Sequence, residues 1–105
     1  MPMRHLLILL PALLGTSLAH AQANPEALRQ RTLAATCANC HGTDGRAIAD
    51  SVVPGLAGQP LPYLADALKA YQRGERQATV MHQIAKGYTE AQLDALAAYF
   101  AALPR

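Results

Sequence analysis

Residues 37–41 read Cys37-Ala38-Asn39-Cys40-His41: two thiols two residues apart, followed at once by an imidazole. Cys-x-x-Cys-His is the attachment signature of c-type haem. The spacing suits that chemistry. Two intervening residues let both sulfurs reach the two vinyl-derived carbons on one porphyrin edge, and the adjacent imidazole then lies under the iron as proximal ligand. Other chemistries use the same residue types. Thioredoxin-like redox exchange places Cys-x-x-Cys in a strand–helix context, and no strand alternation flanks the motif here. A zinc site would need a fourth ligand beside Cys37, Cys40 and His41, and His82 would have to supply it. A small structural disulfide is the remaining use.

Iron that carries electrons takes a second axial ligand. Met81 stands forty residues past His41 and is the one Met beyond residue 21. Its thioether would complete a His/Met iron, which raises the reduction potential. The plain alternative is a Met that fills core space. His82, the next residue, could also bind iron and would give a bis-His site of lower potential. The expected ligands are therefore His41 and Met81, with His82 as the alternative to Met81.

These residues must be positioned by a small chain. It has 105 residues, 51% hydrophobic and 15% charged, with a formal net charge of +2. That length excludes a multidomain enzyme, since one domain takes roughly 100–200 residues. The hydrophobic content excludes a disordered chain, and the small charge argues against binding nucleic acid through its phosphates. Residues 1–21 carry Arg4, an apolar run from Leu6 to Leu14 broken only by Pro11, and Ala19-His20-Ala21, a small-x-small cleavage site. They are expected to be a cleaved secretory signal, too short to span a bilayer, which takes about 20 apolar residues. The mature domain would be residues 22–105, exported to the periplasm, with no stable membrane insertion after cleavage. It holds twenty large apolar side chains and no Trp. That is a thin core for so small a domain, which calls for a cofactor or another staple.

The elements read as helices. Asn24-Pro25-Glu26 is a helix start, predicting a helix over 25–36 whose buried side is Leu28, Leu33, Ala34 and Ala35. Residues 42–60, rich in Gly and Pro, read as a long loop. A second helix is expected over 62–73, with Leu64, Ala67, Leu68 and Tyr71 on one face and Gly74 ending it. Val80 to Lys86 reads as a short helical turn closed by Gly87. Thr89 and Gln92 form a capping box before a last helix that carries Leu93, Leu96, Ala97 and Phe100 at helical spacing. Only Val52-Val53 hints at a strand. The fold class is all-α.

Nearly all of the mature chain resembles the class I c-type cytochromes, most broadly the cytochrome c4 and c553 group. The residues that carry the likeness are Cys37 to His41 with Gly42, Pro54-Gly-Leu-Ala-Gly-Gln59, Tyr63-Leu64, Gly74-Glu-Arg76, Met81 and Leu96-Ala-Ala-Tyr-Phe100. The resemblance implies a small monohaem cytochrome c fold. Its N- and C-terminal helices would pack together around one haem c, held covalently through Cys37 and Cys40. It also implies that the Pro54 carbonyl meets His41 Nδ1 and fixes the imidazole tautomer.

A narrower stretch, Thr79 to Tyr88, is similar to the cytochrome subunit of flavocytochrome c sulfide dehydrogenase, with Ile84-Ala-Lys-Gly-Tyr88 as its specific part. This implies a non-catalytic electron carrier that accepts electrons from a sulfide-oxidising flavoprotein. A freely diffusible carrier of the c4/c553 type is the other reading, and a thiol-redox or zinc-binding module the remote one. Two departures stand out: His82 follows Met81 where that family often has a small residue, and the second Cys-x-x-Cys-His domain of its dihaem members is not in this sequence. Lys69 and Lys86 are the only Lys residues, so no dense lysine ring steers an acidic partner. Tyr63, Tyr71 and Tyr88 are candidates for a partner-facing patch or for hydrogen bonds to the haem propionates.

Overall fold

The protein's computed structural model describes residues 24–105, and the expected signal segment, residues 1–21, lies outside them. Helix α1 spans Pro25–Ala35. Asn24 caps it, its side-chain oxygen accepting from the backbone N–H groups of Glu26 at 3.0 Å and Ala27 at 3.4 Å. Pro25 takes the first helical position, where its missing N–H costs nothing. The Cys37 N–H then bonds the Ala34 carbonyl, and the chain re-enters a short helix, α2, at Ala38–His41. A 3-10 turn at Thr43–Gly45 and a long loop lead to α3 (Leu61–Arg73), α4 (Met81–Lys86) and α5 (Glu90–Ala101). The described residues contain no strand, and Val52-Val53 is a bend.

The last helix organises the core. Leu93, Leu96, Ala97 and Phe100 are all buried, as their spacing predicts, and they meet Ala34 of α1 and Leu64 of α3. Thr89 and Gln92 form the expected reciprocal capping box. Helix α3 packs on both α4 and α5, so the N- and C-terminal helices and the middle of the chain share one cluster. A 2.8 Å ion pair between Lys69 and Asp94 joins α3 to α5 at the surface. Exposed pairs of this kind contribute at most about 1 kcal/mol. Pro60 caps α3, which begins at Leu61, one residue earlier than its pattern suggests, and ends at Gly74 in the left-handed conformation.

One expectation for α1 fails. Leu28 is 59% exposed, Ala35 is exposed and Leu33 is half-buried, leaving Ala34 as the buried residue of this helix. The reason is geometric. Ala34, in the last turn of α1, is the residue that joins the core shared with α5. Leu28 lies six residues upstream, about 9 Å along the axis at the α-helical rise.

Close backbone approaches fasten the long loop. Gly45 O accepts from Leu56 N at 2.7 Å and from Ala57 N at 3.1 Å. A side chain at Gly45 would meet the Phe100 ring at 2.8 Å. Gly58 N donates to Phe100 O at 2.9 Å, and Arg105 Nε donates to Gly58 O at 3.1 Å. The loop therefore lies on α5 and on the turn that follows the Cys-x-x-Cys-His helix.

Gly42 ends that helix with φ 82° and ψ 162°, a region essentially restricted to glycine. A Cβ there would overlap the Arg46 carbonyl. Gly74 also has positive φ, but a Cβ there would meet nothing. Gly74→Ala is therefore expected to cost about 1–2 kcal/mol, the strain of a left-handed residue. Gly42→Ala should cost clearly more, because overlap adds to strain. Chemical denaturation of both variants checks the order, and equal losses would contradict it.

Candidate functional site

Helix α2 carries the motif. Cys37 occupies its N-cap position, and the N–H groups of Cys40 and His41 both bond the Cys37 carbonyl, at 3.3 and 3.0 Å. Cys37 and His41 are thus one turn apart on one face, with Cys40 beside them at i+3. Both cysteines are free thiols, Cys37 half-buried and Cys40 exposed. Burial pushes the Cys37 thiol above its ordinary value, with Thr36 hydrogen bonding acting in the opposite direction. The thioredoxin-like alternative needs a strand–helix context, and the described residues contain no strand. Zinc would need converging ligands, and among the described residues no three His, Cys, Asp or Glu side chains are grouped to hold a metal.

His41 is 8% exposed, the one buried polar residue among those described. Its Nδ1 lies 2.7 Å from the Pro54 carbonyl oxygen. A carbonyl can only accept, so Nδ1 carries the proton and the free lone pair is on Nε2. That is the tautomer a metal-binding imidazole requires, with a partner that fixes the ring and raises its basicity. Pro54 is held in turn: Val53 N donates to Ser51 Oγ at 3.1 Å on one side, and the Leu56 and Ala57 bonds to Gly45 anchor the other.

Met81 and His82 open α4 as its first two residues, both half-buried. Successive helical residues point about 100° apart. The His82 side chain lines a surface cleft with Gly74, Arg76, Gln77, Ala78 and Lys86, and Met81 does not. Helix α4 packs on α3 and buries Ala85, which places Met81 at the start of an anchored segment.

The tyrosines divide. Tyr88 is structural, its hydroxyl 2.9 Å from Thr36 Oγ1 and its carbonyl accepting from Gln72 Nε2 at 2.6 Å. Tyr63, 50% exposed, and Tyr71 both lie under the Arg76 guanidinium, with ring centroids 5.8 and 5.0 Å away. Sequence reasoning passed over two features near the site. Tyr99 donates to Asp44 at 3.1 Å, and Asp44 sits at φ 54° in the turn after the motif. The Thr43-Asp44-Gly45 stretch is a turn signal that could have revealed the second. Burial first, then the Asp44 carboxylate, pushes the Tyr99 hydroxyl above its usual value. The other feature is the placing of Arg76 over two tyrosine rings, which its mention within Gly74-Glu-Arg76 did not reveal.

The site fits a large apolar group. Among the described residues only Leu64, Leu93, Leu96 and Phe100 are large buried apolar residues, while Leu28, Ile48, Val52, Leu61, Tyr63, Val80 and Ile84 are exposed. All of the exposed ones except Leu28 lie between the motif and the end of α4, in or beside the segments that link His41 to Met81. Apolar surface left in water on this scale asks for a partner, at roughly 25 cal/mol for each Å² it covers.

Comparison with known proteins agrees. The model of the cytochrome c family matches residues 29–104. The chain is 40% identical over 77 residues to the cytochrome subunit of sulfide dehydrogenase from Chlorobaculum tepidum, covering 73% of this chain and 68% of that protein. It is 40% identical over 68 residues to cytochrome c-554(548) of Halomonas halodenitrificans, covering 62% of this chain and 81% of that one. A solved structure of cytochrome c4 from Acidithiobacillus ferrooxidans superposes with a TM-score of 0.67 at 33% identity, covering 74% of this chain and 50% of the other. The described helices thus follow a fold already seen in a cytochrome, and the chain spans half the length of that c4 relative.

The thin core predicts how the protein behaves without a bound group. A Cys37→Ala/Cys40→Ala protein holding no haem is expected to show no cooperative thermal transition by far-UV circular dichroism. A sharp native-like melt in that variant would contradict the fit.

Proposed function

The chain belongs to the cytochrome c family, and from that premise we propose that it is an exported, monohaem, one-electron carrier. Residues 1–21 would be its signal and 22–105 its haem domain, working in the periplasm. Cys37 and Cys40 would hold the haem through thioether bonds, and His41 and Met81 would be its axial ligands. When bound, haem c supplies an iron that gains and loses a single electron.

The observation that carries this reading is the 2.7 Å contact between His41 Nδ1 and Pro54 O. Pro54 fixes the proton on Nδ1, which leaves the Nε2 lone pair free to be the ligand atom. Helix α2 places both cysteines and His41 on one short helical turn. Met81 supports the distal position over His82, because His82 lines a cleft that Met81 does not share. With His41 and Met81 both bound to the iron, no position on the metal would be left for a substrate, which suits an electron carrier.

For the donor, we favour a sulfide-oxidising flavoprotein. What supports it is the likeness to the Chlorobaculum cytochrome subunit, together with the Ile84 to Tyr88 stretch. Among the described residues no helix is long and apolar enough to cross a membrane.

Met81→Ala is expected to remove the charge-transfer absorption of a thioether-ligated ferric haem and to lower the reduction potential, whereas His82→Ala should leave both in place. Loss of low-spin character in His82→Ala alone would reverse the assignment. For the donor, the protein purified from its native source should bring down a flavin chromophore; recovery as a flavin-free monomer at all salt concentrations would favour a diffusible carrier.

A further inference from the structure

Arg76, Gln77, His82 and Lys86 line one cleft of about 140 Å³ with Gly74 and Ala78, and no carboxylate is among the lining residues. Two of the four polar lining side chains, Arg76 and Lys86, are cations. Their positions are fixed by different parts of the fold. Arg76 lies over the faces of Tyr71 and Tyr63, a cation–π arrangement that restrains a long side chain without neutralising it. His82 and Lys86 are four residues apart on α4 and so share its face. The nearest acid in sequence, Glu75, is taken by Arg73 at 2.8 Å. Among the described residues Arg76 and Lys86 make no salt bridge, whereas Lys69, Arg73 and Arg46 each have one.

We propose that this cleft binds one small tetrahedral oxyanion of the sulfate or phosphate class. The donor set matches the ligand. A guanidinium offers a planar fork suited to such oxyanions, an ammonium a compact charge, and Gln77 a neutral amide donor. The volume suits it as well: a water takes about 30 Å³ of liquid, so the cleft has room for one such anion and a few waters, and not for a nucleotide. His82 directly follows Met81, so a dianion in the cleft would lie near the chain segment that carries the proposed iron ligand, although the Met81 side chain does not line the cleft. Such a dianion favours the ferric state, which carries the extra positive charge. This second step rests on the function proposed above. By linkage, the anion binds ferric protein more tightly and lowers the reduction potential by the same coupling.

The test is calorimetric titration of the exported, haem-loaded protein with sodium sulfate, against sodium chloride at equal ionic strength. One saturable site is expected for sulfate alone. Lys86→Gln, an exposed change that leaves the Arg76 stacking intact, should weaken it at least tenfold. Arg76→Gln should do the same, and Arg29→Gln, a cation outside the cleft, should not. Non-saturating heats, or an equal loss in Arg29→Gln, would overturn the site. In parallel, sulfate should lower the midpoint potential of the parent protein and not of Lys86→Gln. A tenfold preference for the ferric form corresponds to about 59 mV. Unchanged potential with intact binding would overturn the coupling to iron. A protein without haem absorbance would instead sink the proposed function, on a channel separate from the calorimetry.

Discussion

The hydrogen bond from His41 Nδ1–H to the Pro54 carbonyl joins the motif helix to the long loop, and much of the site depends on it. It decides which imidazole nitrogen is free. It also fixes where the loop must run, since Pro54 can meet His41 only if the chain turns back over the Thr43–Gly45 turn. Gly45 completes that turn by accepting from both Leu56 and Ala57. Gly42 makes the reversal possible by taking a backbone conformation that a side chain would forbid. A single 2.7 Å contact is thus held in place by a chain of glycine-dependent approaches that ends on Phe100 of the last helix.

The same helix explains why so few large residues suffice. The core is four large apolar side chains and several alanines, gathered where α1, α3 and α5 meet. Alanine at Ala34 and Ala97 adds little burial of its own, but small side chains let backbones approach closely. The larger apolar residues, among them Ile48, Leu61, Val80 and Ile84, stay on the outside of this cluster. A chain that leaves these side chains exposed has apolar surface for something else to cover, in keeping with the covalently bound haem c of the family.

Much of this was legible in the sequence because the signals were local. The Asn24 cap, the Thr89–Gln92 box and the i, i+3, i+4, i+7 pattern of α5 each depend on neighbours within two turns, and each appears as read. Cys37, Cys40 and His41 were legible for the same reason. What the sequence concealed depends on tertiary placement. Leu28 reads as core, yet α1 enters the core only near its last turn. Helix α2 is four residues long, below the length at which periodicity says anything. Tyr63, Tyr71 and Tyr88 look alike in sequence; only their partners separate a structural Tyr88 from the two rings that hold Arg76.

The two residues proposed as iron ligands are held in different ways, and the difference would bear on electron transfer. His41 is held by a loop whose fastening is backbone hydrogen bonding. Met81 begins a short helix held by side-chain packing on α3, by buried Ala85, and by the Gln72–Tyr88 bond just beyond its end. A carrier that changes charge without changing ligands gains from having both supports fixed beforehand, since polar groups already in position need not reorganise when the charge moves. The two supports converge on the same element, because the loop rests on Phe100 and α4 reaches α5 through α3. Displacement of α5 would therefore disturb both sides of the site at once. Its buried face, with Leu93 and Ala97 fully enclosed, is accordingly among the most enclosed parts of the described residues.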